Sequence, residues 1–151
     1  MSIARVVSVS LPVPPSANAC WRNGRGGKGR FRTDVYKAWA MEAAMIARAA
    51  WRDQGSPVIE RGYQVIVRAG IDHKRDLDNL AKPIIDVLGP ATDLPNDRWC
   101  DRVELSREGS KGRVFVTVIG CAPERVGEVI SIGDAANRVL AGLIVNFEND
   151  A

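Results

Sequence analysis

One long segment with helical periodicity lies between two strand-like segments, and this order constrains the fold more than any other feature. Residues 3–11 alternate and are rich in β-branched side chains, and residues 62–71 form a second apolar run of this kind. Between them, residues 34–53 carry apolar side chains at helical spacing, with Thr33 or Asp34 as the N-cap. A short chain that alternates strand and helix favours a sheet with helices packed against it.

The remaining segments extend this pattern. Asp78 predicts the N-cap of a second helix over about 79–88, followed by a loop rich in Gly, Pro, Asp and Asn at 89–97. Residues 102–107 and 113–119 predict the arms of a hairpin, turned by the Gly-Ser-Lys-Gly run between them. The predicted order is β-α-β-α-β-β plus a C-terminal helical extension. This order indicates an α+β fold with a small mixed sheet.

Charge is distributed unevenly along the chain. The formal net charge is +3, yet residues 122–151 hold five acidic and two basic side chains, which leaves +6 on residues 1–121. A basic body with an acidic tail favours a polyanionic partner. We predict one domain over residues 1–121 and an acidic extension over 122–151. The extension is expected to be helical in part, because apolar residues recur at helical spacing over 135–144.

Composition argues against several classes of protein. Cys20, Cys100 and Cys121 are odd in number and widely spaced, so a disulfide framework or a zinc site is not expected. The single histidine, His73, cannot build a zinc site alone. No apolar run approaches the ~20 residues of a membrane span, and the N-terminus lacks a signal peptide. We therefore expect a cytoplasmic protein without a membrane partner, and any metal ion to be a hard cation held by carboxylates.

Residues 75–82 (RDLDNLAK) carry the strongest chemical signal. Asp76 and Asp78 lie two apart at the end of a segment that we expect to be extended, where such side chains share one side. Two close carboxylates repel unless a cation joins them, and Mg²⁺ prefers oxygen ligands. Lys82 lies one helical turn after Asp78 and can hold a phosphate oxygen. The alternative is that this acidic pattern only caps the helix.

A metal site for phosphate hydrolysis usually needs a further carboxylate. Asp97 lies in a Pro-Asn-Asp loop from which the chain can return to the strand end, so it is the favoured candidate. Asp86 lies two turns past Asp78 on the predicted helix, and we expect it to be too far along. Asp93 and Asp101 are the other candidates.

Residues 16–32 predict a polar loop rich in glycine and basic side chains. Such a loop can approach phosphates closely, and Trp21 or Phe31 can stack on an unpaired base. The alternative is a solvated, flexible loop. Residues 24–29 also fit G-x-G-x-x-G, but a dinucleotide fingerprint directly follows a strand and opens a helix, so no nucleotide cofactor is expected. The basic side chains predicted to bind DNA here are Arg22, Arg25, Lys28, Arg30 and Arg32.

Three separated motifs resemble the RusA family of Holliday junction resolvases. They are the run at 75–82, the segment LPVPPSAN at 11–18, and the spacing from Lys82 to Asp97. The resemblance covers roughly residues 5–120. It extends the expected DNA-binding set by three residues, Asn18, Lys74 and Arg75.

This resemblance implies specific roles. Asp76, Asp78 and Asp97 would be the catalytic carboxylates that bind Mg²⁺. Lys82 would be the essential lysine near the scissile phosphate. The family is a symmetric homodimer that nicks two opposed strands of four-way junction DNA in recombination and repair, and phages often carry its members. The basic loop over 22–32 and the extension over 122–151 depart from the family's pattern.

We therefore expect a Mg²⁺-dependent endonuclease that acts on four-way junctions. A second hypothesis is a non-catalytic protein that binds DNA junctions, which would not require the three carboxylates together. A third is a small nucleotide-cofactor enzyme that depends on the G-x-G-x-x-G match, which predicts saturable NAD or ATP binding.

Overall fold

A mixed sheet with helices on one face forms the body of the protein. The computed structural model describes residues 5–60 and 62–120. The strands and α-helices are β1 (Arg5–Pro12), α1 (Ala17–Cys20), β2 (Trp21–Asn23), β3 (Arg30–Arg32), α2 (Asp34–Asp53), β4 (Tyr63–Ala69), α3 (Ala81–Thr92), β5 (Cys100–Ser106) and β6 (Arg113–Gly120). The predicted α+β class is confirmed. The predicted helical stripe over 135–144, together with Cys121, lies outside the described residues.

The four-stranded sheet has the order β1-β6-β4-β5. β6 is antiparallel to both β1 and β4, while β4 and β5 are parallel. In this register Val9 of β1 and Val67 of β4 both lie beside Val116 of β6, so their side chains share one face. All three are buried in the core. The valine-rich face of the sheet is therefore the one covered by the helices.

The predicted hairpin between β5 and β6 is wrong, because β4 lies between these two strands. β4 is buried along most of its length, whereas β5 alternates between exposed and half-buried positions. A strand buried along most of its length belongs in the middle of a sheet, and a half-exposed strand belongs at its edge. The segment between β5 and β6 crosses the end of β4, where the Glu108 amide donates to the carbonyl of Ala69.

Helix α2 has the predicted bounds, Asp34–Asp53. The Thr33 hydroxyl caps it by accepting a hydrogen bond from the Tyr36 amide at 3.2 Å. Its buried face includes Trp39 and Trp51, which confirms their predicted packing role. The Trp39 indole N–H donates to the Pro12 carbonyl at 2.9 Å and ties the helix to the end of β1.

Helix α3 differs from its prediction at both ends. It runs from Ala81 to Thr92, so the predicted loop over 89–97 begins only at Asp93, whose φ of 57° is left-handed. The helix continues because Ala91 and Thr92 are buried, and their packing outweighs the missing amide of Pro90. At its start, Asp78 does not act as the predicted N-cap. It begins a 3₁₀ turn that leads directly into the helix, with no side-chain cap.

The segment predicted as a polar loop over 16–32 also contains regular structure. Ser16 caps the single turn α1, and β2 pairs with β3 in a small antiparallel hairpin. No helix in the described part of the chain combines the length and the apolar character needed to cross a bilayer.

Candidate active site

The segment that follows β4 carries two of the predicted carboxylates, and it is folded into turns. Residues 73–75 form a turn, and a 3₁₀ turn follows over Asp78–Leu80. The Asp72 carboxylate stabilises the first turn by accepting from the Lys74 amide at 3.0 Å. The predicted extended geometry at Asp76 and Asp78 is therefore wrong. The backbone bends here because it must turn from the end of β4 into α3.

Both carboxylates of this segment are exposed. Asp76 Oδ2 accepts a hydrogen bond from the Asn79 side-chain amide at 3.3 Å. Asp78 has no hydrogen bond or ion pair through its side chain to any residue that the structure describes. Two exposed carboxylates this close in sequence suit a hydrated cation, since Mg²⁺ keeps several waters and often uses one or two protein carboxylates.

A residue of the predicted DNA-binding set braces this segment. The Arg75 guanidinium donates to the Pro14 carbonyl, and Arg107 donates to the Arg75 carbonyl at 2.8 Å. Arg75 is half-buried, whereas its neighbour Lys74 is exposed. The structure therefore places Arg75 in a structural contact with the proline-rich segment, and it leaves Lys74 directed to solvent.

Lys82 is held between two carboxylates. Its Nζ donates to Asp86 Oδ1 at 2.6 Å and to Asp97 Oδ2 at 2.8 Å. Hydrogen bonds to Asp86 and then Asp97 raise the pKa of Lys82 above its ordinary value. The hydrogen bond from Lys82 in turn lowers the pKa of the Asp97 carboxyl. We define Lys82, Asp86 and Asp97 as the acid–lysine cluster.

A 3₁₀ turn capped by Asn96 positions Asp97 beside Lys82. Asn96 Oδ1 accepts from the Arg98 amide at 3.0 Å and so opens the 3₁₀ turn Asp97–Trp99, which leads into β5. Because β4 and β5 are parallel neighbours, the segments before β5 and after β4 lie at opposite ends of the sheet. Lys82, in the first turn of α3, nevertheless lies at the end where β5 begins, because it meets Asp97 there and both charges act on Tyr63 at the start of β4. The Asp97 loop thus returns to α3, and its predicted approach to Asp76 and Asp78 stays a prediction.

The sequence argument measures the distance of Asp86 from Asp78 and so does not predict the contact that Asp86 makes with Lys82. The relevant neighbour is Lys82, four residues earlier on the same helix. Side chains separated by i and i+4 meet on a helix surface. The i, i+4 spacing of Lys82 and Asp86 is the sequence signal that could have predicted this contact. Asp86 also accepts from Arg32 at 3.4 Å, a contact across 54 positions that no local pattern indicates.

The carboxylates do not form a ready three-ligand cluster. Among residues 5–60 and 62–120, no three His, Cys, Asp or Glu side chains lie close enough together to hold a metal ion. Asp76 and Asp78 are both exposed, while Asp97 is engaged with Lys82. The donor set suits Mg²⁺ in the mode that combines few carboxylates with water and substrate phosphate.

The hairpin β2–β3 forms a basic arm, which we define as residues 21–32. Arg22 lies opposite Phe31 and Trp21 opposite Arg32. The Arg30 and Arg32 guanidiniums lie 5.4 and 5.5 Å from the centroid of the Trp21 ring. Phe31 is 54% exposed. The arm thus presents cations and an exposed aromatic ring together, as a surface for nucleic acid requires.

The tip of the arm explains the glycine-rich run. Gly24 donates to the Gly29 carbonyl at 2.9 Å, and a Cβ at Gly24 would lie 2.5 Å from the Lys28 carbonyl oxygen. The glycines therefore close a tight turn that exposes Arg25 and Lys28. The G-x-G-x-x-G match joins one strand of a hairpin to the other, not a strand to a helix.

A polar cavity of about 220 Å³ lies beside Asp76. Asn18, Lys74 and Asn79 line it together with Asp76. Three members of the predicted DNA-binding set, Asn18, Lys74 and Arg75, thus lie next to one of the predicted catalytic carboxylates. His73 is exposed and does not line this cavity.

Fold and site together define a small α+β protein with an acid–lysine cluster, exposed carboxylates and a basic arm, as in proteins that process phosphodiesters. A family model described as Endodeoxyribonuclease RusA matches residues 12–119, and the chain therefore belongs to the RusA family. Membership implies a hydrolase that cuts DNA internally, of the Holliday junction resolving kind. The match begins in β1 and ends in β6, so it includes every predicted site residue. No curated protein matches the chain.

Proposed function

We propose that this protein is a Mg²⁺-dependent, homodimeric endonuclease that resolves four-way DNA junctions by paired nicks. The observation that carries the proposal is the position of Lys82 between Asp86 and Asp97, within the segment that matches the RusA family. A charged lysine held between two carboxylates suits the hydrolysis of a phosphodiester.

The chain's own residues would divide the chemistry between them. Asp76, Asp78 and Asp97 would hold Mg²⁺, which lowers the pKa of a bound water and neutralises charge on phosphate oxygens. Lys82 donates to a non-bridging phosphate oxygen and stabilises the negative charge that grows there in the transition state. The removal of one such donor typically costs roughly 10²–10³ in rate.

DNA would bind across the basic arm and the cavity beside Asp76. Arg22, Arg25 and Lys28 are exposed and suited to phosphates. Phe31 supplies an exposed ring for stacking on an unpaired base, which the open centre of a junction provides. Shape and phosphate contacts would then supply most of the selectivity. We expect affinity for junction DNA to fall steeply with salt, because each neutralised phosphate releases counterions.

A two-fold homodimer suits a substrate with paired symmetric strands. A C2 dimer presents two equivalent sites, and each would nick one of two opposed strands. Sedimentation of the purified protein tests this part directly, and a monomer at assay concentrations would contradict it.

The test is cleavage of a synthetic mobile four-way junction in the presence of Mg²⁺. The wild type is compared with Asp76→Asn and with Asp34→Asn, an exposed acid on α2. We expect symmetric paired nicks from the wild type and the Asp34 variant. Asp76→Asn should bind the junction without cutting it. Equal cleavage by all three proteins would show that the active site lies elsewhere.

One observation favours a second candidate, a non-catalytic protein that binds and caps junctions. The described residues hold no ready cluster of three metal-binding side chains, whereas the basic arm is complete. A Mg²⁺ titration with the wild type separates the candidates. The binder predicts intact strands at every Mg²⁺ concentration, and the endonuclease predicts nicks that appear as Mg²⁺ rises.

A further inference from the structure

Asp86 joins the basic arm to Lys82. Its Oδ1 accepts from Lys82 at 2.6 Å, and its Oδ2 pairs with Arg32 at 3.4 Å. The Asp86 side chain is 21% exposed, against 67% for Lys82 and 49% for Asp97. Asp86 is therefore the most firmly enclosed member of the acid–lysine cluster, although the proposed function gives it no role.

Helix stability does not account for the pair of Lys82 and Asp86. Lys82 lies in the first turn of α3, where the positive end of the helix dipole disfavours a cation. A lysine four residues before an acid is also the weaker order for a helical ion pair. A sequence selected only for a stable helix would place an acid at this position. The location of Lys82 therefore serves something outside the helix.

Arg32 is fixed by aromatic contacts on two sides. Its guanidinium lies 4.7 Å from the centroid of the Tyr36 ring and 5.5 Å from that of Trp21. Tyr36 is buried on α2, and Trp21 opens the arm. A planar guanidinium stacks on rings while its N–H groups remain available to a carboxylate. Arg32 thus presents Asp86 with a cation whose position depends on both the core and the arm.

We infer that Asp86 is a positioning residue that holds Lys82 for catalysis, and that Arg32 couples this position to the arm. The inference rests on the proposed function. The Lys82 ammonium has three N–H donors, and Asp86 and Asp97 accept two of them in the described structure. The third is directed to a phosphate oxygen when DNA binds. Asp97 also belongs to the proposed metal site, whereas Asp86 does not. Asp86 therefore keeps Lys82 in place whether or not Asp97 holds the metal ion.

The test is the single-turnover rate of junction cleavage with enzyme and Mg²⁺ in excess. Asp86→Asn keeps the shape of the side chain and removes its charge. Asp53→Asn is the matched control, because Asp53 is an exposed acid at the end of α2, outside the acid–lysine cluster. We expect Asp86→Asn to cleave about 10- to 100-fold more slowly, since small misplacements of a catalytic group have costs of this order. The control should cleave at the wild-type rate.

Three further measurements separate positioning from other roles. Junction affinity and the half-maximal Mg²⁺ concentration should stay within about twofold of the wild type in Asp86→Asn, and Asp86→Glu should recover part of the rate. Circular dichroism melting establishes that each variant is folded. In a double-mutant cycle with Arg32→Lys, the effects on the rate should be non-additive, because the two residues share one contact.

Several results would overturn the inference. Wild-type cleavage by Asp86→Asn refutes the positioning role and leaves the proposed function intact. A raised Mg²⁺ requirement in that variant would instead identify Asp86 as a metal ligand. Additive effects in the cycle refute the coupling to Arg32. Absence of cleavage by the wild type refutes the proposed function itself, and the inference with it.

Discussion

Gly70 lies where the chain leaves β4 for the site segment, and its replacement by alanine provides a sharp test of the fold. A Cβ at this position would lie 1.9 Å from the carbonyl oxygen of Ser110. The Ser110 peptide would therefore have to retreat by about 1 Å to reach even the shortest tolerated contact. Two hydrogen bonds depend on the present position of this loop. The Gly112 amide donates to the Gly70 carbonyl at 2.9 Å, and the Arg113 amide donates to the Ser110 carbonyl at 3.1 Å.

These contacts set the magnitude of the effect. Overpacking costs about 1–3 kcal/mol, and each hydrogen bond contributes roughly 0.5–1.5 kcal/mol net. Because the loop over 107–112 is exposed and can shift in part, we expect Gly70→Ala to lower the free energy of unfolding by about 2–4 kcal/mol. Gly89→Ala is the matched control. A Cβ there meets nothing within 4 Å inside α3, and alanine should stabilise that helix by about 0.5–1 kcal/mol.

Urea denaturation followed by circular dichroism measures both variants, at one protein concentration because a dimer's stability depends on concentration. A Gly70→Ala protein as stable as the wild type would refute the close approach of residues 110–111 to the end of β4. It would also refute the placement of β4 between β5 and β6, since the segment joining them must cross there.

Four other outcomes can be measured. Trp39→Phe should lower the free energy of unfolding by about 1–2 kcal/mol, because the Pro12 carbonyl loses its donor; an unchanged urea midpoint would contradict this contact. Phe31→Ala should leave the midpoint unchanged, since the ring is 54% exposed, but should weaken junction binding by about 1–3 kcal/mol in a titration if the ring stacks on a base. Joint replacement of Arg25 and Lys28 by glutamine should reduce the slope of log affinity against log salt by about 2, and an unchanged slope would place DNA away from the arm. Chelation of Mg²⁺ should abolish nicking and leave junction binding in place, and nicking that persists in EDTA would contradict the metal requirement.

Local elements were predictable because their signals are local. The bounds of α2 follow from an apolar stripe, a threonine cap and a Gly-Ser-Pro stop, all within the segment itself. β1 and β4 follow equally from short apolar runs. The end of α3 was missed because Gly89 and Pro90 are breakers by propensity, and only burial of the residues after them shows that the helix continues.

The site was predictable in part for the same reason. Asp76, Asp78, Lys82 and Asp97 are predicted from a motif and its spacing, and the structure shows in addition that Lys82 meets Asp97. The metal-binding role of the three aspartates remains a prediction. The sequence argument misses the contacts of Asp86, since they depend on which side chains surround it and not on its distance from Asp78 along the chain.

The sequence by itself determined the class of fold, the main helices and strands, and the family, since periodicity, caps and motif spacing are properties of neighbouring residues. Only the tertiary structure decided that β6 pairs with β4, that the glycine-rich run closes a hairpin, and that Arg32 reaches Asp86. These features join residues that are far apart in the chain. Their energies depend on which surfaces are buried together, and that depends on the whole folded chain at once.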